Sequence, residues 1–220
     1  MDRRVNRRAL LFGALGAGAA LLLGRTTGGS EIAEGEIERT WSRIEAWMRA
    51  EAPEALAVLR PGASAARIRG AQERLGVRFP ESLTRSLARH DGQEWAWPSL
   101  VEFGILMPLD EIVVRHAENE RHGVDAFVGN EDEAWWRRGW LPFVSRDGDY
   151  LALALGPGDA GEVWAFQHDQ DPVFSVVAPD YATWLAAWAD ELQAGVFGLD
   201  RAPGAGLIPR EGRTSRIWPA

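Results

Sequence analysis

The spacing of apolar residues changes character once along this chain, and that change constrains the fold more than any single motif. Through the first half, apolar side chains recur every three or four residues. Ile37, Trp41, Ile44 and Met48 define a first helix from Glu36, because that spacing lines one face of a 3.6-residue period. A second helix is predicted to start at Pro53, with Leu56 and Leu59 inward, and a third to run from a Ser64 cap past Ile68 and Leu75 to Gly76. A fourth is led by Pro80 in its first turn, buries Leu83 and Leu87, and is expected to stop at a left-handed Gly92. The stretch LMPLDEIVVRHAENERHG predicts a fifth. The period then changes: DYLALAL (149–155), GEVWAFQH (161–168) and PVFSVV (172–177) are short, rich in β-branched and aromatic residues, and parted by turn sequences, as in an antiparallel meander. PDYATWLAAWADELQ returns to helical spacing, and its apolar face needs a partner, for which the sheet is the nearest surface. The expectation is an α+β fold with N-terminal helices, a central, mainly antiparallel sheet and a C-terminal amphipathic helix packed on it. Residues 196–220, rich in Gly, Pro and Arg without a period, are expected to form an irregular tail.

The first thirty residues read as a separate segment. A basic start precedes an apolar run from Ala9 to Leu23, and the paired Arg7 and Arg8 followed by Ala9, Leu10 and Leu11 resemble a twin-arginine export signal. The run is short for a permanent membrane span, which takes roughly 20 apolar residues. Export or cell-envelope association through residues 1–30 is therefore expected, with a cytoplasmic protein as the alternative. Without those residues the formal charge of −8 becomes −12, nineteen arginines against thirty-one acids. Such a balance disfavours nucleic acid and steers basic partners inward. The chain has no lysine, a mark of GC-rich coding, and no cysteine, so disulfides, thiolate metal sites and thiol nucleophiles are excluded.

Candidates for catalysis are sparse. His90, His116, His122 and His168 are scattered, and the six-residue gap between His116 and His122 does not place both on one helix face as a metal pair requires. RDGD (146–149) and HDQD (168–171) cluster carboxylates where Asp and Gly serve turn geometry. No nucleophile elbow, phosphate loop or HExxH occurs, and neither a cofactor nor a metal is expected. The eleven tryptophans are more informative. Trp41, Trp164, Trp184 and Trp188 fit the core by spacing. Trp95 and Trp97, with Glu94, follow the fourth helix on a loop; Trp135 and Trp136 follow the acidic run Glu131, Asp132 and Glu133. These eight residues outside the core pattern are the candidates for contact with a partner, since aromatic side chains dominate interface hot spots. The competing reading of Trp95 and Trp97 is a collapsed pair capping the core.

The order of short signals resembles the SUKH superfamily, in its branch named for the yeast cell-wall assembly regulator of the Smi/Knr type. WxxIExW (41–47), LRPGAS (59–64), LGVRFPESL (75–83), HDG (90–92), GWLPF (139–143) and GDYLAL (148–153) carry it. The similarity spans Glu36 to Gln193 and implies a domain over 36–194. It maps the family's proline-led helix to Pro80, its turn to Asp91 and Gly92, its tryptophan before the sheet to Trp140 with Pro142, and its strand glycines to Gly148 and Gly161. Ala154 stands where many relatives carry an aspartate. The resemblance implies a non-enzymatic scaffold that binds proteins: many bacterial members look like immunity proteins that cover a toxin's active site, and the fungal branch acts as an interaction hub. The expected function is thus protein binding, with a basic toxin domain as the leading partner, no nucleic acid, and membrane contact only through the N-terminal segment. The alternatives are an exported glycan-binding domain, with exposed Trp rings stacking on sugars, and a secreted hydrolase using Asp147 and Asp149.

Overall fold

The computed structural model describes residues 28–124, 136–156, 161–168 and 174–218. The apolar part of the N-terminal segment, and Glu131, Asp132, Glu133 and Trp135, lie outside the described residues.

Helix α1 (Gly28–Glu51) buries Ile37, Trp41, Ile44 and Met48, the four positions that its spacing selects. Short α2 (Pro53–Ala57) carries Pro53 in its first turn, where a missing N–H costs no helical bond. In α3 (Ala65–Leu75) the Ser64 hydroxyl accepts the Arg67 N–H at 3.3 Å, and Gly76 ends the helix in the left-handed region. Helix α4 (Glu81–Arg89) departs from expectation at both ends. Pro80 is the cap, with extended ψ of 148°, so the helix begins one residue later. His90, with φ −140° and ψ 123°, ends it by running extended, and Gly92 is not its stop. Gly92 has φ +64° for another reason: a Cβ there would lie 2.5 Å from the backbone of Met107 and Pro108. Two chain segments cross at that point, and only glycine lets them.

The sheet has the order β1-β2-β3-β4-β5, antiparallel throughout: β1 (Ile105–Leu106), β2 (Trp140–Arg146), β3 (Asp149–Ala154), β4 (Val163–Phe166) and β5 (Phe174–Ala178). Helix α5 (Leu109–Asn119), continued by one π turn through Val124, joins β1 to β2. Trp140, expected before the sheet, opens β2 and pairs with Ala154. Pro142 sits beside a register shift, one of the few places a strand tolerates a residue without an N–H. Gly148 and Gly161 are in turns rather than strands. Asp147 (φ +46°) and Gly148 (φ +96°) make the two-residue β2–β3 turn, whose paired left-handed residues match the strand twist. Gly161 donates its N–H to the Ala154 carbonyl.

Strand register sorts the sheet's two faces. Trp140, Tyr150, Trp164, Phe166 and Phe174 form an aromatic layer on one face. Trp136 covers that layer: its ring is fully buried and meets Trp140, Tyr150 and Phe166 edge-on at 5.6, 5.4 and 5.7 Å. Trp136 is therefore a core residue and no anchor for a partner, because the layer beneath it needs a large apolar lid. The opposite face takes helix α6 (Tyr181–Gln193), capped by Asp180 and joined to β2 through Phe143 against Tyr181 and Trp184. Trp188 of α6 meets Trp41 of α1 edge-on at 6.0 Å. A buried polar relay ties these layers: Trp41 donates to the Ser86 hydroxyl at 2.8 Å, which shares a 2.7 Å bond with the Tyr181 hydroxyl.

The tail is irregular for most of its length but carries a short hairpin and is drawn onto the fold. Strands β6 (Phe197–Leu199) and β7 (Leu207–Pro209) pair antiparallel, and Ile217 and Trp218 are buried. Two anchors draw it in. The Trp184 indole donates to the Ile217 carbonyl at 3.0 Å, and the buried Glu191 carboxylate of α6 receives the Ser215 hydroxyl, the Arg216 N–H and the Arg216 guanidinium at 2.9–3.0 Å. Burying a carboxylate is costly unless donors replace its water, and the tail supplies all three of these.

Candidate interaction surface

The loop after α4 is held from inside by one side chain. Gln93 is fully buried and gives its backbone N–H to the Leu106 carbonyl. Its Oε1 accepts the N–H groups of Leu100 (3.2 Å) and Leu106 (3.0 Å), and its Nε2 donates to the Pro98 carbonyl (3.1 Å). A loop without a strand ladder must satisfy its inner backbone groups some other way, and Gln93 supplies the substitute. Outer ties come from chain-distant segments. The Glu94 N–H reaches the Val58 carbonyl, the Ser99 carbonyl accepts from the Leu207 N–H, and the Glu102 N–H donates to the Leu207 carbonyl. At Gly206 a Cβ would meet the Ser99 carbonyl oxygen at 2.2 Å, so the tail approaches as closely as backbones allow.

On this pinned loop Trp95 is 59% exposed and Trp97 38%, so neither is a collapsed cap on the core. Glu94 is exposed beside them, 3.7 Å from Arg60. The three loop candidates thus share one short exposed segment, whereas Trp136 lies in the core. Asp91 is spent on architecture: its buried carboxylate accepts the Arg67 guanidinium at 2.7 Å and the Leu109 N–H at 2.7 Å. The second bond places a negative charge at the N-terminus of α5, where free amides favour it. Arg67 reaches on to Asp110 and its pKa is raised by these two acceptors.

Other titratable groups are engaged likewise. Buried Glu45 binds Arg89 through two 2.7 Å contacts and faces His90 Nε2 at 2.9 Å, and the Arg89 bond foremost lowers its pKa. Asp149 accepts the His168 N–H at 3.0 Å and faces His168 Nδ1 at 2.7 Å, with Arg146 at 3.4 Å. That arrangement ties the β2–β3 turn to the strand beyond. Among the described residues no group of three His, Asp or Glu stands close enough to hold a metal ion. No helix among them is long and apolar enough to cross a membrane.

Sequence reasoning passes over a second exposed feature. In the tight turn Val101–Gly104, closed by reciprocal backbone bonds, both central residues are left-handed: Glu102 at φ +45° and Phe103 at φ +67°. Phe103 is 50% exposed and Glu102 is buried, its pKa raised chiefly by desolvation. The turn borders a cleft of about 310 Å³ whose opposite wall is the C-terminal tail. A sequence VEFG carries no signal for paired left-handed residues, and the tail's proximity is a tertiary fact.

An antiparallel sheet covered on both faces, with buried Glu45, Asp91 and Glu191 bonded into the frame and aromatic rings displayed on a pinned loop, defines an α+β scaffold that offers a surface. The SMI1 / KNR4 family (SUKH-1) is matched over residues 62–187, and the chain belongs to that family. It is 27% identical over 191 residues to the cell wall biosynthesis/cell cycle regulator smi1 of Schizosaccharomyces pombe, covering 74% of this chain and 38% of that protein. It is 25% identical over 233 residues to a glucan synthesis regulatory protein of Neurospora crassa, covering 84% of this chain and 43% of that protein. The chain spans about two-fifths of the length of these relatives, which are named as regulators.

Proposed function

We propose that this protein is a non-enzymatic binding module that docks another protein through the loop bearing Glu94, Trp95 and Trp97. The observation that carries this reading is the pairing of two exposed tryptophans with an internal clamp, Gln93, that holds their backbone. An ordered aromatic pair loses little conformational freedom on association, so its apolar area is returned as affinity. The negative body favours a basic partner, and neutralisation of a basic toxin domain is the leading version. Residues 1–30, with their basic start and apolar run, would deliver the module to the cell envelope.

The test is co-purification with the product of an adjacent toxin-like or strongly basic gene, followed by Trp95→Ala and Trp97→Ala. Complex formation that both variants weaken supports the proposal; a complex indifferent to both refutes the assigned surface. The exposure of Trp95 also favours one second reading, glycan stacking. Binding of the purified protein to cell-wall polysaccharide, lost in Trp95→Ala, would favour that reading instead. Turnover of a glycosidic or ester substrate, abolished by Asp147→Ala, would overturn the non-enzymatic assignment.

A further inference from the structure

The cleft between the Val101–Gly104 turn and the tail differs in chemistry from the rest of the surface. Residues 31–195 hold fifteen arginines against twenty-nine acids, whereas residues 196–220 hold four arginines against Asp200 and Glu211. The cleft lies where this basic tail meets Arg146, and its lining includes Phe103, Arg146, Pro209, Arg213 and Thr214. The Arg146 guanidinium lies 4.3 Å over the buried Trp218 ring; its hydrogen bonds among the described residues are long, 3.5 Å to the Glu102 carbonyl and 3.4 Å to Asp149, and its charge also acts on the Glu102 carboxyl. Charge-assisted bonds normally run 2.7–2.9 Å, so its donors are under-used. Arg213 has no ion pair among the described residues. The one carboxyl in the lining, Glu102, is buried, and desolvation works against its charged form.

The turn itself supplies an independent pointer. Paired left-handed residues are ordinarily Asn-Gly or similar, yet here Glu102 and Phe103 occupy both positions, and the strained backbone holds a phenyl ring half in water. Strain and apolar exposure coincide at this one residue, whose ring lies outside the core, and strained backbone of this kind clusters at ligand sites. The wall that carries Phe103 and Arg146 lies within residues 62–187, the segment matched to the family, and the tail that forms the other wall lies beyond it.

We propose that this cleft binds an acidic peptide segment of a protein partner, with a carboxylate on Arg213 and Arg146 and a neighbouring apolar side chain against Phe103. The planar forks of arginine match carboxylate geometry, and the ring accounts for an apolar neighbour that a free inorganic anion would leave unused. The inference does not rest on the Trp95 loop, and its test separates the two.

The full chain is titrated into fluorescein-labelled Glu-Leu-Glu-Phe-Glu and its counterpart Gln-Leu-Gln-Phe-Gln, and anisotropy is read. The acidic peptide should bind saturably and the amide peptide about ten-fold or more weaker, one charged contact being worth roughly that factor. Arg213→Glu and Phe103→Gly should each weaken the acidic peptide by about ten-fold or more, while Trp95→Ala leaves it unchanged. Phe103→Gly should at the same time raise the Tm, since glycine adopts the left-handed conformation without a clash; binding lost with stability raised is what a merely structural phenylalanine would not show. Equal affinity for both peptides, no binding up to about 1 mM, binding that survives Arg213→Glu, or an equal loss in Trp95→Ala would each overturn the assignment.

Discussion

Replacing Gln93 by leucine keeps the side chain's bulk and removes its hydrogen bonds, so the variant isolates the clamp. Three backbone groups lose their partner: the N–H groups of Leu100 and Leu106, and the Pro98 carbonyl. Gln93, Leu100 and Leu106 are all buried. An unsatisfied buried polar group costs about 1–3 kcal/mol, and part of the sum is recovered as the exposed side of the loop shifts to admit water. The expected loss is about 3–5 kcal/mol, a large share of the roughly 5–15 kcal/mol that holds a domain folded. With a urea slope of about 1–3 kcal/mol per molar, the denaturation midpoint should fall by more than about 1 M. Hydrogen exchange locates the effect: the Leu100 and Leu106 amides should lose protection relative to those of β3. A midpoint change worth less than about 1 kcal/mol, with both amides still protected, would refute the account of the loop as hung from Gln93.

Further expectations concern residues whose surroundings differ although their chemistry is alike. Gly92→Ala should cost about 3 kcal/mol and lower the Tm by roughly 6–12 °C, because the new Cβ meets backbone; Gly76→Ala, at nearly the same φ but in open space, should cost only about 1 kcal/mol. Trp136→Ala should cost about 3–5 kcal/mol in urea melts, whereas Trp95→Ala should stay within about 0.5 kcal/mol of the parent. Two carboxyls should give opposite pH slopes. Glu45 is shifted down, so its contribution is present above the ordinary carboxylate range and lost as pH falls through its folded value. The stability gap between parent and Glu45→Gln should therefore close on acidification. Glu102 is shifted up, so its charged form opposes folding at neutral pH and that penalty is relieved as pH falls through its folded value; Glu102→Gln should be the more stable protein at pH 7 and converge with the parent in acid. Urea midpoints measured between pH 3 and 7 (about the carboxylate range) decide both.

Much of this protein can be read from local order. The three-and-four spacing of Ile37, Trp41, Ile44 and Met48 dictates a buried face whatever lies opposite, and Asp147-Gly148 dictates a two-residue turn because few other pairs accept two left-handed conformations at low cost. The helices, the meander and the α+β class follow from such rules, whereas the exposure of Trp95 and Trp97 does not, since the sequence admits a collapsed pair on the core equally well. What the chain order leaves open is anything that depends on which surfaces meet. Trp136 and Trp95 both stand in aperiodic, acid-flanked stretches; one is a lid and the other a display because the aromatic face of the sheet requires a cover and the loop over Gln93 does not. Gly92 reads locally as a helix stop, yet it serves a crossing with Met107 and Pro108. The aperiodic tail is ordered by Glu191 and Trp184, two side chains on a helix that precedes it. Periodicity is a property of neighbours in sequence and survives in isolation. Burial, close approach and the clefts they leave arise only between segments distant in the chain, so the tertiary structure alone decides them.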